Sequence, residues 1–238
     1  MISIICPSFN TEGCIRSLIE SVLAQTSRDY ELIIVDGGSR DRTVEILDEY
    51  KEHLHYISER DAGIYDAMNK GIGLANGEWL YFIGADDSLF CPTVIEDVSQ
   101  VLSKTDADVV LCRINVPGVG FRESDLTGRM VLKNTVNHQG ALYHKKVFEH
   151  FRYDISYTIS ADYDLNFFVF REGLKVIKSD IVFANHSFEG ASGRANFSGY
   201  REEMQIRRKY VNSFLVNSAG GVFSIARYLF RKIKLIIH

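Results

Sequence analysis

The stretch YELIIVDGGS at residues 30–39 decides the fold class. An apolar run at 31–35 is followed at once by Asp36 and two glycines, the pattern of a buried strand that ends in a polar turn. The same pattern occurs at 2–6, which ends at Pro7, and at 78–83, which runs into Asp86 and Asp87. Apolar residues at helical spacing separate these strands, so the sequence predicts parallel strands that alternate with helices.

The predicted architecture is a Rossmann-like α/β fold with a mostly parallel sheet and flanking helices. Further strands are expected at 54–58 and 107–113, and helices at 64–75, 93–102 and 162–171. The carboxyl ends of such strands share one edge of the sheet, and ligands bind outside that edge. The polar residues that follow the strands are Ser8, Asn10, Asp36, Ser39, Asp86 and Asp87.

Composition places the chain among ordinary globular proteins. It has 238 residues, of which 46% are hydrophobic and 24% charged, so it can bury a core and disorder is not expected. Its four cysteines show no CxxC pairing, which is typical of reduced thiols in a cytosolic protein. The start lacks the basic segment of a signal peptide, and no apolar run approaches the roughly 20 residues that span a bilayer.

The charge is distributed unevenly along the chain. Residues 199–238 carry eight basic and two acidic side chains, a net charge of +6, so the first 198 residues carry −10. From Val222 onward, apolar residues share one helical face and Arg227, Arg231 and Lys234 another. We expect a basic helical extension at 199–238 that lies on the inner face of the cell membrane, where lipids are anionic. The alternative is a terminal helix that packs its apolar face on the domain.

The adjacent acids Asp86 and Asp87 are the sharpest chemical feature. Two neighbouring carboxylates repel each other unless a cation lies between them and a substrate phosphate, and Mg²⁺ or Mn²⁺ suits such oxygen ligands. Asp36 could accept a hydrogen bond from a nucleobase or ribose. The alternatives are a solvated Asp-Asp turn and a plain turn residue before Gly37.

Five motifs in order resemble family-2 glycosyltransferases. They are SIICPSFN at 3–10, SVLAQT at 21–26, YELIIVDGGS at 30–39, ERDAGIYDAMNKG at 59–71 and GADD at 84–87. The resemblance is dense over about the first 100 residues and sparse after them. It implies a GT-A domain at 1–198, with a nucleotide-sugar-binding half at 1–113 and an acceptor-binding half at 114–198. It also implies an inverting mechanism.

The resemblance also implies residue roles in the donor site. Phe9 would stack on the base, with Pro7 and Asn10 shaping that pocket and Asp36 accepting from the base. Asp61 and Asn69 would line the donor site. Asp86 would contact ribose or metal, and Asp87 would hold the Mn²⁺ or Mg²⁺ cofactor.

The segment SADYDL at 160–165 resembles the acidic motif that supplies the general base in this family. Asp162 takes the position of that base, although Ala161 stands where many members have Glu. Two alternatives stay open: Asp162 only caps the following helix, or Asp164 is the base.

Three further features complete the set of candidates. His138 and Gln139 precede a short predicted strand, where the family places residues near the donor sugar or the acceptor. His186 is a candidate metal ligand, because some relatives complete the metal shell with a histidine. Residues 188–193 resemble a loop that folds over the donor diphosphate.

The sequence therefore predicts a metal-dependent inverting glycosyltransferase. It would move a sugar from a nucleotide sugar, with UDP favoured, to an acceptor hydroxyl, and we expect a lipid-linked glycan in bacterial polysaccharide, O-antigen, lipopolysaccharide or capsule synthesis. The alternatives are a non-catalytic nucleotide-sugar-binding protein and a sugar-phosphate nucleotidyltransferase, although the loop at 7–11 has no basic residue to hold a triphosphate. The acidic body argues against a nucleic-acid partner.

Overall fold

The computed structural model describes residues 1–187 and 197–237. The predicted diphosphate loop at 188–193 lies outside these residues. Within them, nine strands form one sheet in the order β3-β2-β1-β4-β8-β6-β9-β5, with β7 paired to β6. The strands are β1 (Ile2–Ser8), β2 (Tyr30–Asp36), β3 (His55–Ser58), β4 (Trp79–Phe82), β5 (Ser88–Leu89), β6 (Val109–Val116), β7 (Gly120–Arg122), β8 (Ala141–His144) and β9 (Val176–Asn185).

Seven α-helices accompany the sheet in the described residues. They are α1 (Ile15–Leu23), α2 (Thr43–Glu49), α3 (Ile64–Leu74), α4 (Val94–Leu102), α5 (Ala161–Arg171), α6 (Phe197–Tyr210) and α7 (Phe214–Ile237). No helix in 1–187 or 197–237 combines the length and the hydropathy that crossing a bilayer requires.

The first half of the sheet is parallel, as predicted. β3, β2, β1 and β4 run side by side in one direction, with Ser8 opposite Asp36 at the shared ends of β1 and β2. The second half is mixed: β8 lies antiparallel between β4 and β6, while β6 and β9 are parallel. The order β2-β1-β4 places a topological switch at β1, where a ligand crevice is expected.

The core lies on both faces of the sheet because side chains alternate along each strand. Ile4 of β1 and Tyr81 of β4 face one cluster, with α1, α2 and α4. Ile5 of β1 and Phe82 of β4 face the other, with α3 and α5. Burial of both faces leaves the carboxyl ends of β1, β2 and β4 as the place where polar side chains can collect.

Several predicted boundaries needed correction. The strand expected at 107–113 begins at Val109 and ends at Val116, and it turns through residues 117–119 into β7, for which no element was predicted. β9 was not predicted as an element, and the helical extension expected at 199–238 consists of two helices, α6 and α7. The terminal helix, expected from Val222, begins at Phe214. The expected domain boundary at 198 falls in the first turn of α6.

Candidate active site

A cavity of about 270 Å³ opens at the carboxyl ends of β1 and β4. Its walls come from the ends of these strands, the first turn of α3, the 136–139 segment, the start of α5 and the residues after β9. Seven of the residues singled out in the sequence line it: Pro7, Asp86, Asp87, His138, Gln139, Asp162 and His186. These seven residues, up to 179 positions apart in the chain, thus line one cavity at the topological switch point of the sheet.

The Asp86-Asp87 pair folds back over Gly84. A Cβ added at Gly84 would lie 2.8 Å from Asp86 Oδ1 and 2.9 Å from Asp87 Oδ2, so a larger residue there would displace both carboxylates. Asp87 is buried, and its Oδ2 accepts a hydrogen bond from the Gly84 N–H at 3.2 Å. The Asp87 carboxylate is therefore held at the cavity by the backbone rather than exposed in a solvated turn, and Asp86 beside it is half-buried.

Asp87 also anchors the segment that follows β9. Its Oδ1 lies 2.9 Å from His186 Nδ1 and accepts a hydrogen bond from the Ser187 N–H at 2.8 Å. Within 1–187 and 197–237, no three His, Cys, Asp or Glu side chains are grouped to hold a metal ion by themselves. Mg²⁺ and Mn²⁺ commonly take one or two carboxylates and complete their shell with substrate phosphates and water. Asp86 and Asp87 are carboxylate donors of the type that such a cation takes, and His186 lies beside Asp87.

Asp162 is the second residue of α5, and its side chain reaches the cavity. Ser160, and not Asp162, is the N-cap residue of this helix. The Asp162 carboxylate nevertheless accepts from backbone N–H groups of the first turn, those of Asp162 and Tyr163. Burial raises the pKa of Asp162 to about 7, and the charge of Glu203 adds to the rise, while a hydrogen bond from Asn134 Nδ2 at 2.8 Å opposes it. A carboxyl group with such a pKa can accept a proton near neutral pH.

Asp164, the other candidate base, is committed elsewhere. It is buried, and Lys209 Nζ of α6 donates to its two oxygens at 3.0 and 2.8 Å. It does not line the cavity.

His138 forms part of the cavity wall as a neutral imidazole. Its ring stacks on Phe82 with centroids 5.3 Å apart, and burial lowers its pKa to about 4. Both ring nitrogens are buried and have no hydrogen-bond partner among the described residues. The backbone carbonyl of Gln139 accepts a hydrogen bond from Tyr81 at 2.9 Å, which fixes this turn to β4.

Among the residues expected around the nucleobase, Pro7 lines the cavity, whereas Phe9, Asn10 and Asp36 lie at the adjoining ends of β1 and β2 outside the cavity lining. Phe9 is 58% exposed. Asn10 has a left-handed φ of 52°, and its Oδ1 accepts from the Arg40 N–H at 2.9 Å, which ties the two strand ends together. The aromatic face of Phe9 is thus presented on a rigid turn.

Asp36 and Asp61, the two acids near this turn, differ in position and in hydrogen bonding. Asp36 is buried and accepts hydrogen bonds from the N–H groups of Gly38 and Ser39 and from Ser58 Oγ at 2.7 Å. Asp61 instead lies over Gly37, where an added Cβ would be 2.6 Å from its Oδ2. Asp36 shapes the turn, and Asp61 occupies the surface above it.

Asn69 does not line the cavity. Its side-chain amide bonds both backbone groups of Tyr153, donating to the carbonyl at 2.8 Å and accepting from the N–H at 3.0 Å. It clamps α3 to the segment before α5. The sequence reasoning also missed wall residues, among them Tyr65, Met68, Thr158 and Ile159, because core and cavity-wall positions have the same apolar pattern.

A half-sheet in the order 3-2-1-4, an Asp-Asp turn after β4 and an acidic helix start across one cavity define the GT-A class of glycosyltransferases. The chain belongs to glycosyltransferase family 2, whose family model (Glycosyl transferase family 2) matches residues 3–175. It is a glycosyltransferase, and the predictions of family, fold and enzyme class are confirmed.

Two curated relatives show how far the similarity extends. A PGL/p-HBAD biosynthesis glycosyltransferase of Mycobacterium tuberculosis is 35% identical over 175 residues, covering 70% of this chain and 68% of the relative. The uncharacterized glycosyltransferase YibD of Escherichia coli is 32% identical over 144 residues, covering 59% of this chain and 41% of YibD.

Solved structures of similar fold include two with bound donors. TarS 1–349 of S. aureus in complex with UDP-GlcNAc gives a TM-score of 0.73 at 19% identity, covering 96% of this chain and 71% of TarS 1–349. The mannosyltransferase PcManGT of Pyrobaculum calidifontis in complex with GDP-Man and Mn²⁺ gives 0.70 at 15% identity, covering 94% and 73%. A longer TarS chain is matched over 42% of its length.

Proposed function

We propose that this enzyme transfers a sugar from a nucleoside diphosphate sugar, with UDP as the nucleotide, to an acceptor hydroxyl with inversion of the anomeric carbon. The observation that carries the proposal is that Asp162, with its pKa near 7, opens on the same cavity as Asp86 and Asp87. A proton acceptor and a diphosphate-binding acid pair in one cavity are the parts that a direct displacement needs.

In the proposed reaction, Asp162 takes the proton of the acceptor hydroxyl. The acceptor oxygen forms a bond to the anomeric carbon as the bond from that carbon to the donor phosphate oxygen breaks, and the nucleoside diphosphate leaves with the electron pair. One displacement from the opposite face inverts the configuration. The neutral His138 and the apolar wall around it would keep water away from the reacting carbon.

Asp87 and Asp86, with His186 beside them, would hold the Mn²⁺ or Mg²⁺ that binds with the donor. When bound, the cation neutralises charge on the departing diphosphate. The Mn²⁺ complex of PcManGT supports a metal in this fold. Phe9, which is 58% exposed, would stack on the nucleobase. Asp61, whose Oδ1 accepts from the Gly63 N–H at 2.9 Å, would be an acceptor in the donor site. UDP is supported by the complex of TarS with UDP-GlcNAc.

Asp162→Asn tests the base with Asp164→Asn as its matched control, since both acids lie in the first turn of α5. With UDP-sugars and Mn²⁺, release of UDP in the presence of acceptor should fall at least about a hundredfold in Asp162→Asn. Asp164→Asn should keep activity at temperatures where it is folded. Full turnover in Asp162→Asn, or a product whose anomeric configuration matches the donor, would refute the proposal.

We further propose that the enzyme binds the cytoplasmic surface of the cell membrane through α7, where a lipid-linked glycan of a bacterial surface polysaccharide would be the acceptor. The support is that α7 packs on α6 with its small and polar side and turns its apolar side outward. Ser224 Oγ accepts from the buried Arg207, and Arg227 pairs with Glu203 at 2.9 Å. The outward residues Leu215, Val222, Leu229, Phe230 and Ile233 are between 54% and 78% exposed.

This arrangement contradicts the alternative in which the terminal helix packs its apolar face on the domain. If these five large side chains, now more than half exposed, were buried in a membrane, each would contribute roughly 1 kcal/mol to the free energy of binding. Arg231 and Lys232 lie in the same turns as Phe230 and Ile233, and each basic residue near an anionic leaflet adds about 1 kcal/mol. This charge favours a lipid surface over a second copy of the chain as the occupant of the face.

Flotation of the full chain with phosphatidylglycerol vesicles tests this binding. We expect Phe230→Glu to lose most vesicle binding and Phe121→Glu, a control at an exposed phenylalanine of β7, to keep it. Equal flotation of the two variants would refute the lipid site. A concentration-dependent dimer that only Phe230→Glu dissociates would assign the face to self-association instead.

A further inference from the structure

Glu202 of α6 is a buried carboxylate that binds the loop in front of α5. Its Oε1 accepts from the Thr158 N–H at 2.9 Å and from Thr158 Oγ1 at 2.8 Å. Its Oε2 accepts from the Ile159 N–H at 3.0 Å and the Ser160 N–H at 2.9 Å. Four hydrogen bonds from three successive residues hold this loop in one conformation.

The loop that Glu202 holds is a wall of the active-site cavity. Thr158, Ile159 and Asp162 line the cavity, and Ser160 is the N-cap residue of α5. The first turn of α6 packs closely on this loop because it contains Gly199. A Cβ added at Gly199 would lie 3.3 Å from the Ile159 side chain, and the Gly199 carbonyl accepts from Ser160 Oγ at 3.2 Å. One layer of backbone separates Glu202 from the cavity.

We infer that Glu202 is a positioning residue for the catalytic step, which keeps Asp162 desolvated and aimed into the cavity by fixing the loop at 158–160. The inference rests on the proposed role of Asp162 as the base. The Glu202 carboxylate satisfies the N–H group of Ser160, the N-cap residue of α5, and those of the two residues before it, and an uncharged side chain would bind them less strongly. A loosened loop would admit water to Asp162.

The groups that face Asp162 define what should change. Asn134 donates to it, and Glu203 on α6 and Tyr65 on α3 lie near it, the hydroxyl of Tyr65 being buried against its charge. Entry of water favours the ionised form of Asp162 and therefore lowers its pKa toward the ordinary value.

Glu202→Gln keeps the size of the side chain and removes its charge. Carboxyl ¹³C NMR of aspartate-labelled full-length protein would follow Asp162 through the one resonance missing in Asp162→Asn. We expect its pKa to fall by at least about one unit in Glu202→Gln, with about tenfold slower transfer and UDP affinity, measured by calorimetry with Mn²⁺, within about twofold. Thr158→Val, which removes one of the four hydrogen bonds, should shift the pKa the same way by less.

Asp164→Asn is the matched control, because it breaks a different buried tie between α5 and α6 without touching the loop. It should lower the melting temperature and leave the pKa of Asp162 in place. An unchanged Asp162 pKa in both Glu202→Gln and Thr158→Val overturns the inference while the base assignment stands. Wild-type transfer by Asp162→Asn instead overturns the base assignment, and the inference with it.

Discussion

Replacing the proposed base with asparagine should make the protein more stable at neutral and alkaline pH. In the folded chain the pKa of Asp162 is about 7, whereas in the unfolded chain it returns to the ordinary value near 4. Between these values the folded state binds the extra proton. The contribution of Asp162 to stability is therefore complete below pH 4, falls as the pH rises, and is fully lost above pH 7.

The magnitude follows from the size of this shift. About three pKa units at about 1.4 kcal/mol each set an upper bound of about 4 kcal/mol at pH 8. Because Asp162 faces the cavity and keeps some contact with water, we expect about half of this bound, about 2 kcal/mol. Asparagine keeps the shape and can still accept from Asn134, but it does not ionise. At about 2 to 4 °C per kcal/mol, Asp162→Asn should melt about 4 to 8 °C higher at pH 8.

The assay is thermal unfolding of both proteins from pH 5 to 8.5 without metal or nucleotide. The difference in melting temperature should grow steadily from pH 5 to about pH 7 and level off above it. Asp164→Asn should melt at or below the parent throughout, because it loses the ion pair with Lys209. If the melting temperatures of Asp162→Asn and the parent differ by the same amount at every pH, Asp162 has an ordinary pKa. The argument that burial raises the pKa of the base would then fail.

Three further predictions follow from the same site. Transfer should slow about tenfold from pH 8 to pH 6, as protonation of Asp162 removes the base; a flat profile with bound substrates would contradict this assignment. Phe9→Ala should weaken UDP binding by about tenfold through loss of stacking, as measured by calorimetry. An affinity equal to that of the parent protein would show that the nucleobase does not bind at Phe9. Asp87→Ala should lose Mn²⁺-dependent UDP binding, and Gly84→Ala should lose it as well by displacing both acids. If both variants bind UDP in a Mn²⁺-dependent way as strongly as the parent, Asp86 and Asp87 do not form the metal site.

The parts of the fold that local patterns encode were predicted. β1, β2 and β4 are apolar runs that end in polar turns, and their shared edge follows from the parallel arrangement alone. β9 was missed because Lys178, Ser179 and Asp180 interrupt its apolar pattern. Its conformation depends on pairing with β6, more than 60 residues earlier in the chain.

In the active site, too, some residues could be predicted from local sequence patterns and others could not. The sequence indicated Asp87, Asp162 and His186 separately, and the fold brings them to one cavity. The roles of Asn134 and Glu202 could not be predicted, because each acts on α5 or its preceding loop from a distant part of the chain. No local pattern distinguishes such residues from ordinary surface polar ones.

Gly220, in the second turn of α7, could not be predicted from helix propensity, which disfavours glycine inside a helix. A Cβ there would lie 2.7 Å from Nε of Arg207, so the buried guanidinium and the bare backbone fit only as a pair. In engineered chimeras, the terminal helix therefore cannot be exchanged with that of another protein by itself. A functional transplant must carry both α6 and α7 as one cassette, or the donor helix must supply glycine at position 220.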